Sequence, residues 1–236
     1  MKKIILLIAC ALLLSESKAQ GVIGAWEAFE TTENGDTLRS VVLFADGYQV
    51  LTTYNASTGE FVHSNGGTWK LDGPIMTEKV EFHSDNSERV GAEVSFEISV
   101  SESTLQIVKS GKEFTKIDNG APGELQGAWL MSGRVSEGKM QSRDTSRSRK
   151  TMKILSGTRF QWIAYDTETK QFMATGGGTY TTMNDEYTEN IEFFSRDQSR
   201  VGMSLKFGYE LVDGNWHHSG FSTKGDPINE IWSVRK

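Results

Sequence analysis

The sequence predicts an all-β protein built from two tandem antiparallel meander barrels, lipocalin-like in type, with little helix. Short segments of alternating apolar and polar residues recur with Gly, Asn and Asp between them, and the chain has 24 glycines but only 3 prolines. This pattern is typical of strands joined by hairpins. The two halves of the chain also repeat each other, so one barrel is predicted for each half.

The repeat keeps one register over a long window. The segment TEKVEFHSDNSERVG at 77–91 returns as TENIEFFSRDQSRVG at 188–202, an offset of 111 residues. With this offset, residues 54–98 align without a gap to residues 165–209, and 15 of the 45 aligned pairs are identical. Average composition would give about three identities by chance. The two halves are therefore homologous domains.

The first element in chain order is an export signal at residues 1–19. Two lysines precede an apolar run, Ile4–Leu14, and Ser17-Lys18-Ala19 fits a cleavage site. A lipoprotein signal that ends at Cys10 is the alternative, although it leaves only a short apolar segment before the cysteine. We therefore expect an exported protein, periplasmic or extracellular.

The composition excludes several classes of site. Cys10 is the only cysteine, so the mature chain is expected to have no disulfide, thiol nucleophile or cysteine metal ligand. The formal net charge is −6, which disfavours nucleic acid as a partner. No later apolar run approaches the roughly 20 residues of a transmembrane helix. No motif indicates a cofactor or a metal.

The first domain, residues 20–117, is predicted to contain seven or eight strands. Apolar residues alternate with polar ones from Val90 to Val100, as in a half-buried strand. Short turns imply a meander, and closure into a barrel removes its exposed edges. A polar segment, residues 118–124, is the predicted linker. The turns are placed at Asp46-Gly47, Ser57–Gly59, Asp72-Gly73, Ser84–Glu88 and Ser110-Gly111.

The second domain, residues 125–236, repeats this pattern with an insert. The segment Arg134–Lys153 is rich in basic residues, Ser and Thr, and we expect a mobile, solvated loop. Contact of this loop with an anionic envelope polysaccharide is the alternative. Gly176-Gly177-Gly178 lacks the Lys-Ser/Thr of a phosphate loop and indicates a bulge or a sharp bend in a strand.

Each half opens with a Gly-Ala-Trp triplet, which ends at Trp26 and at Trp129. Together with the meander, the export signal and the endings EFTKI and NEIWSVRK, the chain resembles secreted bacterial lipocalin-like (calycin-type) domains of unknown function, in two tandem copies. The resemblance implies that each tryptophan closes one barrel end beneath a basic residue of the last strand, Lys116 or Arg235. It also implies a binding role with no established reaction.

Glu189 is the residue at which the sequence most suggests a site. It alternates in phase with Tyr187 and Ile191, so its carboxylate is predicted to face the barrel interior. A buried carboxylate must be paired, hydrogen-bonded or protonated. Two functional roles are open for it, a ligand anchor and a general acid. Two structural alternatives are also open, a pair with a neighbouring basic side chain and contact with water at the barrel mouth. Glu192 and Arg200 lie on the opposite face and predict an exposed cross-strand ion pair.

The second half has gained aromatic residues and histidines relative to the first. Aromatic faces with a few polar groups are typical of sites for sugars and flat apolar ligands. The alternative is that these side chains only fill the barrel. His217 and His218 point to opposite faces of one strand and are not expected to share a metal. The predicted ligand-binding residues are Trp162, Glu189, Trp216, His218, Glu230 and Trp232.

Three functions remain open from the sequence. The favoured one is an exported, non-enzymatic binding module for a small apolar or aromatic ligand or an envelope glycan. The second is a structural or cell-envelope interaction protein. The third is a hydrolase that uses Glu189 and Glu230, which requires the two carboxylates roughly 5 to 9.5 Å apart in an open cleft.

Overall fold

The computed structural model describes residues 21–121, 123–222 and 224–235, and the predicted signal at 1–19 lies outside them. The described residues form two closed antiparallel barrels of eight strands each, and they contain no helix of seven residues or more. The fold class predicted from the repeat and the turn spacing is confirmed.

Barrel 1 is a meander in which each strand pairs with the next, and β8 closes on β1. The turns between its strands include all five turn sequences named above. Its strands are β1 (Gly24–Thr31), β2 (Thr37–Ala45), β3 (Tyr48–Asn55), β4 (Phe61–Asp72), β5 (Ile75–His83), β6 (Glu93–Val100), β7 (Thr104–Ile107) and β8 (Lys112–Asp118).

Barrel 2 has the same order of strands with one addition. β17 closes on β9, and β10 forms a hairpin with β9 outside the closed barrel. Its strands are β9 (Gly127–Ser136), β10 (Lys139–Ser142), β11 (Arg149–Leu155), β12 (Arg159–Asp166), β13 (Gln171–Met183), β14 (Glu186–Phe194), β15 (Ser204–Val212), β16 (Asn215–Phe221) and β17 (Pro227–Val234).

The basic insert differs from the expected loop in two ways. Its first part is the β9–β10 hairpin, and its last basic residue, Lys153, is only 5% exposed. Lys153 lies on β11 between Met152 and Ile154, which are both fully buried. Because successive side chains of a strand point to opposite faces, Lys153 enters the barrel while its two neighbours face outward, toward barrel 1.

Paired glycines place a bulge at equivalent positions of the two barrels. The register of β13 against β14 shifts between Gly177 and Gly178, and that of β4 against β5 shifts between Gly66 and Gly67. A Cβ atom on Gly178 would lie 2.0 Å from the backbone oxygen of Asn190. Only glycine permits such an approach of the next strand. The bulge predicted for this glycine triplet is confirmed.

The two barrels pack together through equivalent faces. Outward residues of β2 and β3 and of β11 and β12 belong to one buried apolar cluster. Tyr54 stacks on Phe193 with ring centroids 4.9 Å apart, and its repeat counterpart Tyr165 packs on Phe82 at 5.1 Å. Phe82 is the counterpart of Phe193 in the repeat. The same tyrosine–phenylalanine contact therefore forms twice, once with the tyrosine from barrel 1 and once with the tyrosine from barrel 2. Such reciprocity is the property of a two-fold interface.

Hydrogen bonds between the barrels are reciprocal in the same way. The hydroxyl of Tyr54 donates to Glu192 at 2.6 Å, and the hydroxyl of Tyr165 donates to Glu81 at 2.6 Å. Each carboxylate also accepts from arginine. The donors are Arg39 and Arg159 for Glu192, and Arg235 for Glu81.

The expectation of an exposed Glu192–Arg200 pair is wrong. Barrel 1 covers the face that carries Glu192, and the arginine Nε of Arg200 lies 2.9 Å from Asp197 instead. Burial alone would raise the pKa of Glu192, but the charge of Arg159 and the hydrogen bonds from Arg159 and Tyr54 hold this pKa below its ordinary value. The carboxylate is therefore ionised at neutral pH and joins the two domains.

Candidate functional site: the two barrel interiors

The interior of barrel 2 contains an ion pair enclosed by aromatic rings. Lys153 Nζ lies 2.8 Å from Glu189 Oε1, and the hydroxyl of Tyr187 donates to the same oxygen at 2.9 Å. Glu189 is 4% exposed, so its predicted inward orientation is confirmed. The lysine ammonium is placed for cation–π attraction. Four ring centroids lie 4.9 to 5.8 Å from Nζ, those of Tyr187, Phe207, Trp216 and Trp232.

Glu230 lies in the same interior and has two ring partners. Its Oε2 is 3.2 Å from His218 Nδ1 and accepts from Trp232 Nε1 at 3.1 Å. Burial, and then the charge of Lys153, lower the pKa of His218, so the ring is neutral at neutral pH. Burial alone would raise the pKa of Glu230, but the hydrogen bond from His218 and the charge of Lys153 lower it. The ionised carboxylate therefore accepts the Nδ1 proton.

The structure places all six predicted ligand-binding residues in or against the interior of barrel 2, and Trp162 packs against the apolar cluster there from a half-buried position. Trp162 is half-buried on β12, where its ring packs against Phe194 at 5.4 Å. Trp216, His218, Glu230 and Trp232 contact one another. Glu189 joins them through Lys153 and Tyr187, which corresponds to the alternative that these residues fill the barrel. Trp216 Nε1 and His218 Nε2 have no hydrogen-bond partner among the described residues, and ligand binding by this cluster stays a prediction. Its members are Glu189, Trp216, His218, Glu230 and Trp232.

The surroundings of Glu189 do not match those of a hydrolytic acid. Carboxylate-pair hydrolysis requires an open cleft with room for a sugar ring and water. Glu189 is instead buried inside the barrel and paired with Lys153, so its carboxyl group has no access to a substrate. The carboxylate-pair mechanism therefore receives no support from this geometry.

Barrel 1 contains a cavity of about 230 Å³. Its wall is mainly apolar, and half-buried side chains from β3 to β7 lead from it toward the surface. Five polar side chains join the wall, Gln49, Asn65, Glu78, His83 and Arg89, of which Arg89 is exposed. Concave apolar sites with a few polar groups are the usual form of small-molecule sites. The apolar wall includes Trp26, Val42, Phe44, Leu105, Ile107 and Phe114.

The cavity exists because barrel 1 carries smaller side chains at the positions that fill barrel 2. Val42 of barrel 1 and Lys153 of barrel 2 occupy equivalent positions, since Val42 is paired with Trp26 and Lys153 with Trp129. Leu105 likewise occupies the position of Trp216. Side chains in a barrel interior fill it only if their volumes match the space. Two further replacements act in the same direction: Met76 stands where barrel 2 has Tyr187, and Phe114 stands where it has Trp232.

Glu78 is the counterpart of Glu189 and has lost the lysine partner. Its carboxyl group forms no hydrogen bond within the part of the chain that the structure describes. Burial raises the pKa of Glu78 to about 7, and the charge of Arg89 offsets this only in part. Near neutral pH the group is therefore divided between a neutral acid, which donates a hydrogen bond, and a carboxylate.

The barrel closure implied by the lipocalin resemblance is present in one domain. Lys116 Nζ lies 4.6 Å from the ring centroid of Trp26. Arg235, by contrast, does not serve this role for Trp129. It bonds to Glu81 at 2.8 Å and stacks over the ring of Tyr48 at 4.2 Å, because the end of β17 meets the interface between the barrels.

Comparison with protein families matches the second half of the chain. Residues 124–235 are similar to a family described as a domain of unknown function, DUF4488. The matched segment is barrel 2, and a closed eight-stranded barrel is consistent with the resemblance on which the sequence analysis relied. No curated protein matches the chain. No helix among the described residues is both long and apolar enough to cross a membrane.

The cavity of barrel 1 was missed by the sequence analysis, although a signal was present. Alignment of the two halves shows that barrel 2 has gained large rings, a pattern from which the sequence predicts binding in barrel 2. In a barrel of fixed strand number, added ring volume removes internal space. The smaller residues of barrel 1, such as Val42 and Leu105, mark the domain that keeps a cavity.

Proposed function

We propose that this protein is an exported binding module for small, largely apolar ligands and that the cavity of barrel 1 is the binding site. The observation that carries the proposal is the apolar cavity of about 230 Å³, into which Glu78 brings an unpaired carboxyl group. Barrel 2, with its interior filled, then serves as the structural partner. The lipocalin resemblance supports this proposal only as an analogy of fold.

The size and chemistry of the cavity define the ligand class. An apolar cavity of about 150 Å³ admits benzene, so the present one fits a single aromatic ring or a short alkyl chain. Protonated Glu78 offers a hydrogen bond to an acceptor on the ligand, and Arg89 offers a positive charge at the rim. A small aromatic or aliphatic carboxylic acid satisfies all three features.

Isothermal titration calorimetry with benzoate, octanoate and indole tests the proposal. We expect the two acids to bind more tightly than indole, with a stoichiometry of one. Leu105→Trp places in barrel 1 the ring that fills barrel 2, so binding should weaken at least tenfold. Leu211→Trp is the matched control, because Leu211 is exposed in barrel 2.

Two outcomes would contradict the proposal. Equal binding by the Leu105→Trp and Leu211→Trp variants would remove barrel 1 as the site. Absence of binding of all three compounds to the unaltered protein would favour the structural or envelope-interaction alternative. Export is tested separately, by cell fractionation of the full chain and of a chain that lacks residues 1–19.

A further inference from the structure

We propose that His63, His83 and Asp85 form a binding site for a divalent transition metal, Zn²⁺ in particular. Nδ1 of His63 lies 2.9 Å from Asp85 Oδ1, and Nδ1 of His83 lies 2.8 Å from the same oxygen. The three ligand atoms all lie within 4.8 Å of one another. Two imidazoles and one carboxylate are a ligand set suited to zinc, with an open position for water.

Hairpin geometry brings the three residues together. Asn65 of β4 is opposite His83 of β5, so His63, two residues from Asn65, is the diagonal neighbour of His83 on the same face. The two imidazole centroids are 4.8 Å apart. Asp85 follows directly in the turn after β5 and closes the third side. The arrangement is therefore set by backbone register and does not depend on a distant contact.

The distances allow a metal with little movement. Tetrahedral zinc, with bonds of about 2.0 to 2.2 Å, separates its ligand atoms by roughly 3.4 Å. The present nitrogen–oxygen distances are shorter by about half an ångström. The side chain of Asp85 is 64% exposed and can move outward by this amount, whereas the two histidines are largely held by the barrel wall. The exposed side also gives the ion a path from solvent.

Asn65 provides the support that metal-bound histidines generally require. Its amide nitrogen is placed 3.0 Å from Nε2 of His63. An amide presents either its nitrogen or its oxygen after a half-turn. With Nδ1 of His63 bound to metal, the amide oxygen accepts the Nε2 proton and fixes the tautomer and the ring orientation.

Comparison of the two barrels shows that the fold does not need this cluster. The positions of His63, His83 and Asp85 are occupied in barrel 2 by Ala174, Phe194 and Arg196. All three ligand types are absent there, yet the β13–β14 hairpin has the same bulge and the same register. The cluster therefore serves a purpose specific to barrel 1.

The site lies between two features of the molecule. His83 lines the cavity of barrel 1, and together with Asp85 it also lines a groove against residues 169–172 of barrel 2. Arg89 also lines the cavity, and its positive charge disfavours a cation nearby. Removal of this charge by Arg89→Gln should therefore strengthen metal binding.

Calorimetric titration of the full chain with ZnCl₂, without an affinity tag and after dialysis against chelator, tests the site. We expect one Zn²⁺ per chain, at least tenfold weaker binding for His63→Ala and His83→Ala, and tighter binding for Arg89→Gln. His217→Ala is the matched control, since His217 lies on β16 of barrel 2 outside the cluster, and it should bind zinc as the unaltered protein does.

A second measurement does not depend on the variants. Addition of Co²⁺ to the unaltered protein should give the visible absorption of low-coordinate cobalt, and Zn²⁺ should abolish this absorption. Unchanged zinc affinity in folded His63→Ala and His83→Ala would overturn the assignment, as would an unaltered protein that binds neither ion. Urea unfolding of each variant without metal establishes that it is folded. None of these readouts requires the ligand of the barrel cavity.

Discussion

Glu78 and Glu189 occupy one position of the repeat, but only Glu189 has a basic partner inside its barrel. Lys153 pairs with Glu189, whereas the corresponding residue Val42 offers Glu78 no charge, and the charge of Arg89 offsets the burial of Glu78 only in part. An unpaired buried carboxylate is costly, and protonation is the means by which proteins avoid this cost. The raised pKa of Glu78 thus follows from the loss of one lysine.

The raised pKa of Glu78 makes stability depend on pH. Between the ordinary value of 4.5 and the folded value of about 7, the folded state holds a proton that the unfolded state has lost. The free energy of unfolding should therefore fall as pH rises from about 4.5 to 7 and then level off, by roughly 1 to 3 kcal/mol in total. Urea unfolding at pH 5, 6, 7 and 8 measures this change.

Glu78→Gln is the variant that isolates this effect. Because glutamine does not titrate, the fall between pH 5 and 7 should be smaller, and at pH 8 the variant should be more stable than the unaltered protein. Glu93→Gln, an exposed change on the neighbouring strand β6, should leave the pH profile unchanged. Parallel profiles for the Glu78→Gln variant and the unaltered protein would contradict the assigned pKa.

The inward orientation of Glu189 could be predicted from the sequence, but the position of the cavity could not. Orientation follows from the two-residue period of a strand, which is local. A cavity depends on the sum of volumes of side chains that meet across several strands. The partner of Glu189 could not be predicted either, because Lys153 lies in a basic segment whose composition is typical of a solvated loop.

At the level of strands, local geometry made most of the fold predictable. Turn sequences marked the hairpins, and the repeat gave both barrels the same order. The interface between the barrels was not predictable in this way, because it depends on which outward faces meet. One signal was present in β2, where residues 41–45, VVLFA, are apolar without alternation and all buried. Such a run indicates a strand that is covered on both faces.

The bulge in β13 gives a prediction about a strand. Gly178→Ala would place a methyl group 2.0 Å from the backbone oxygen of Asn190, so β13 and β14 must separate locally. We expect a loss of roughly 1 to 3 kcal/mol in the free energy of unfolding, as for other overpacked sites. Gly208→Ala is the control, since its methyl group would meet the hydroxyl of Ser219 at 3.0 Å and no backbone atom closer than 3.9 Å. Equal stability of the two variants, measured by urea unfolding, would contradict the steric role of Gly178.

For the whole molecule, the reciprocal interface means that the two homologous domains behave as a dimer joined in one chain. The shared apolar cluster lies between the barrels, so separation would expose the outward faces of both. Each domain also supplies one carboxylate to the interface, Glu81 from barrel 1 and Glu192 from barrel 2. Each carboxylate accepts hydrogen bonds from basic or tyrosine side chains of the other domain. Unfolding of one domain therefore removes partners from the other, and we expect a single cooperative transition.

Changes at the two carboxylates test this coupling. Glu192→Ala leaves Arg159, whose side chain is 4% exposed, without its main partner, and removal of one member of a buried pair costs about 3 to 5 kcal/mol. Glu81→Ala removes the partner of Arg235 and should also destabilise. In scanning calorimetry both variants should shift one common transition to lower temperature, whereas Glu210→Ala, an exposed change in barrel 2, should not. Two resolved transitions, of which only one moves in each variant, would show that the barrels unfold independently and that the reciprocal contacts do not couple them.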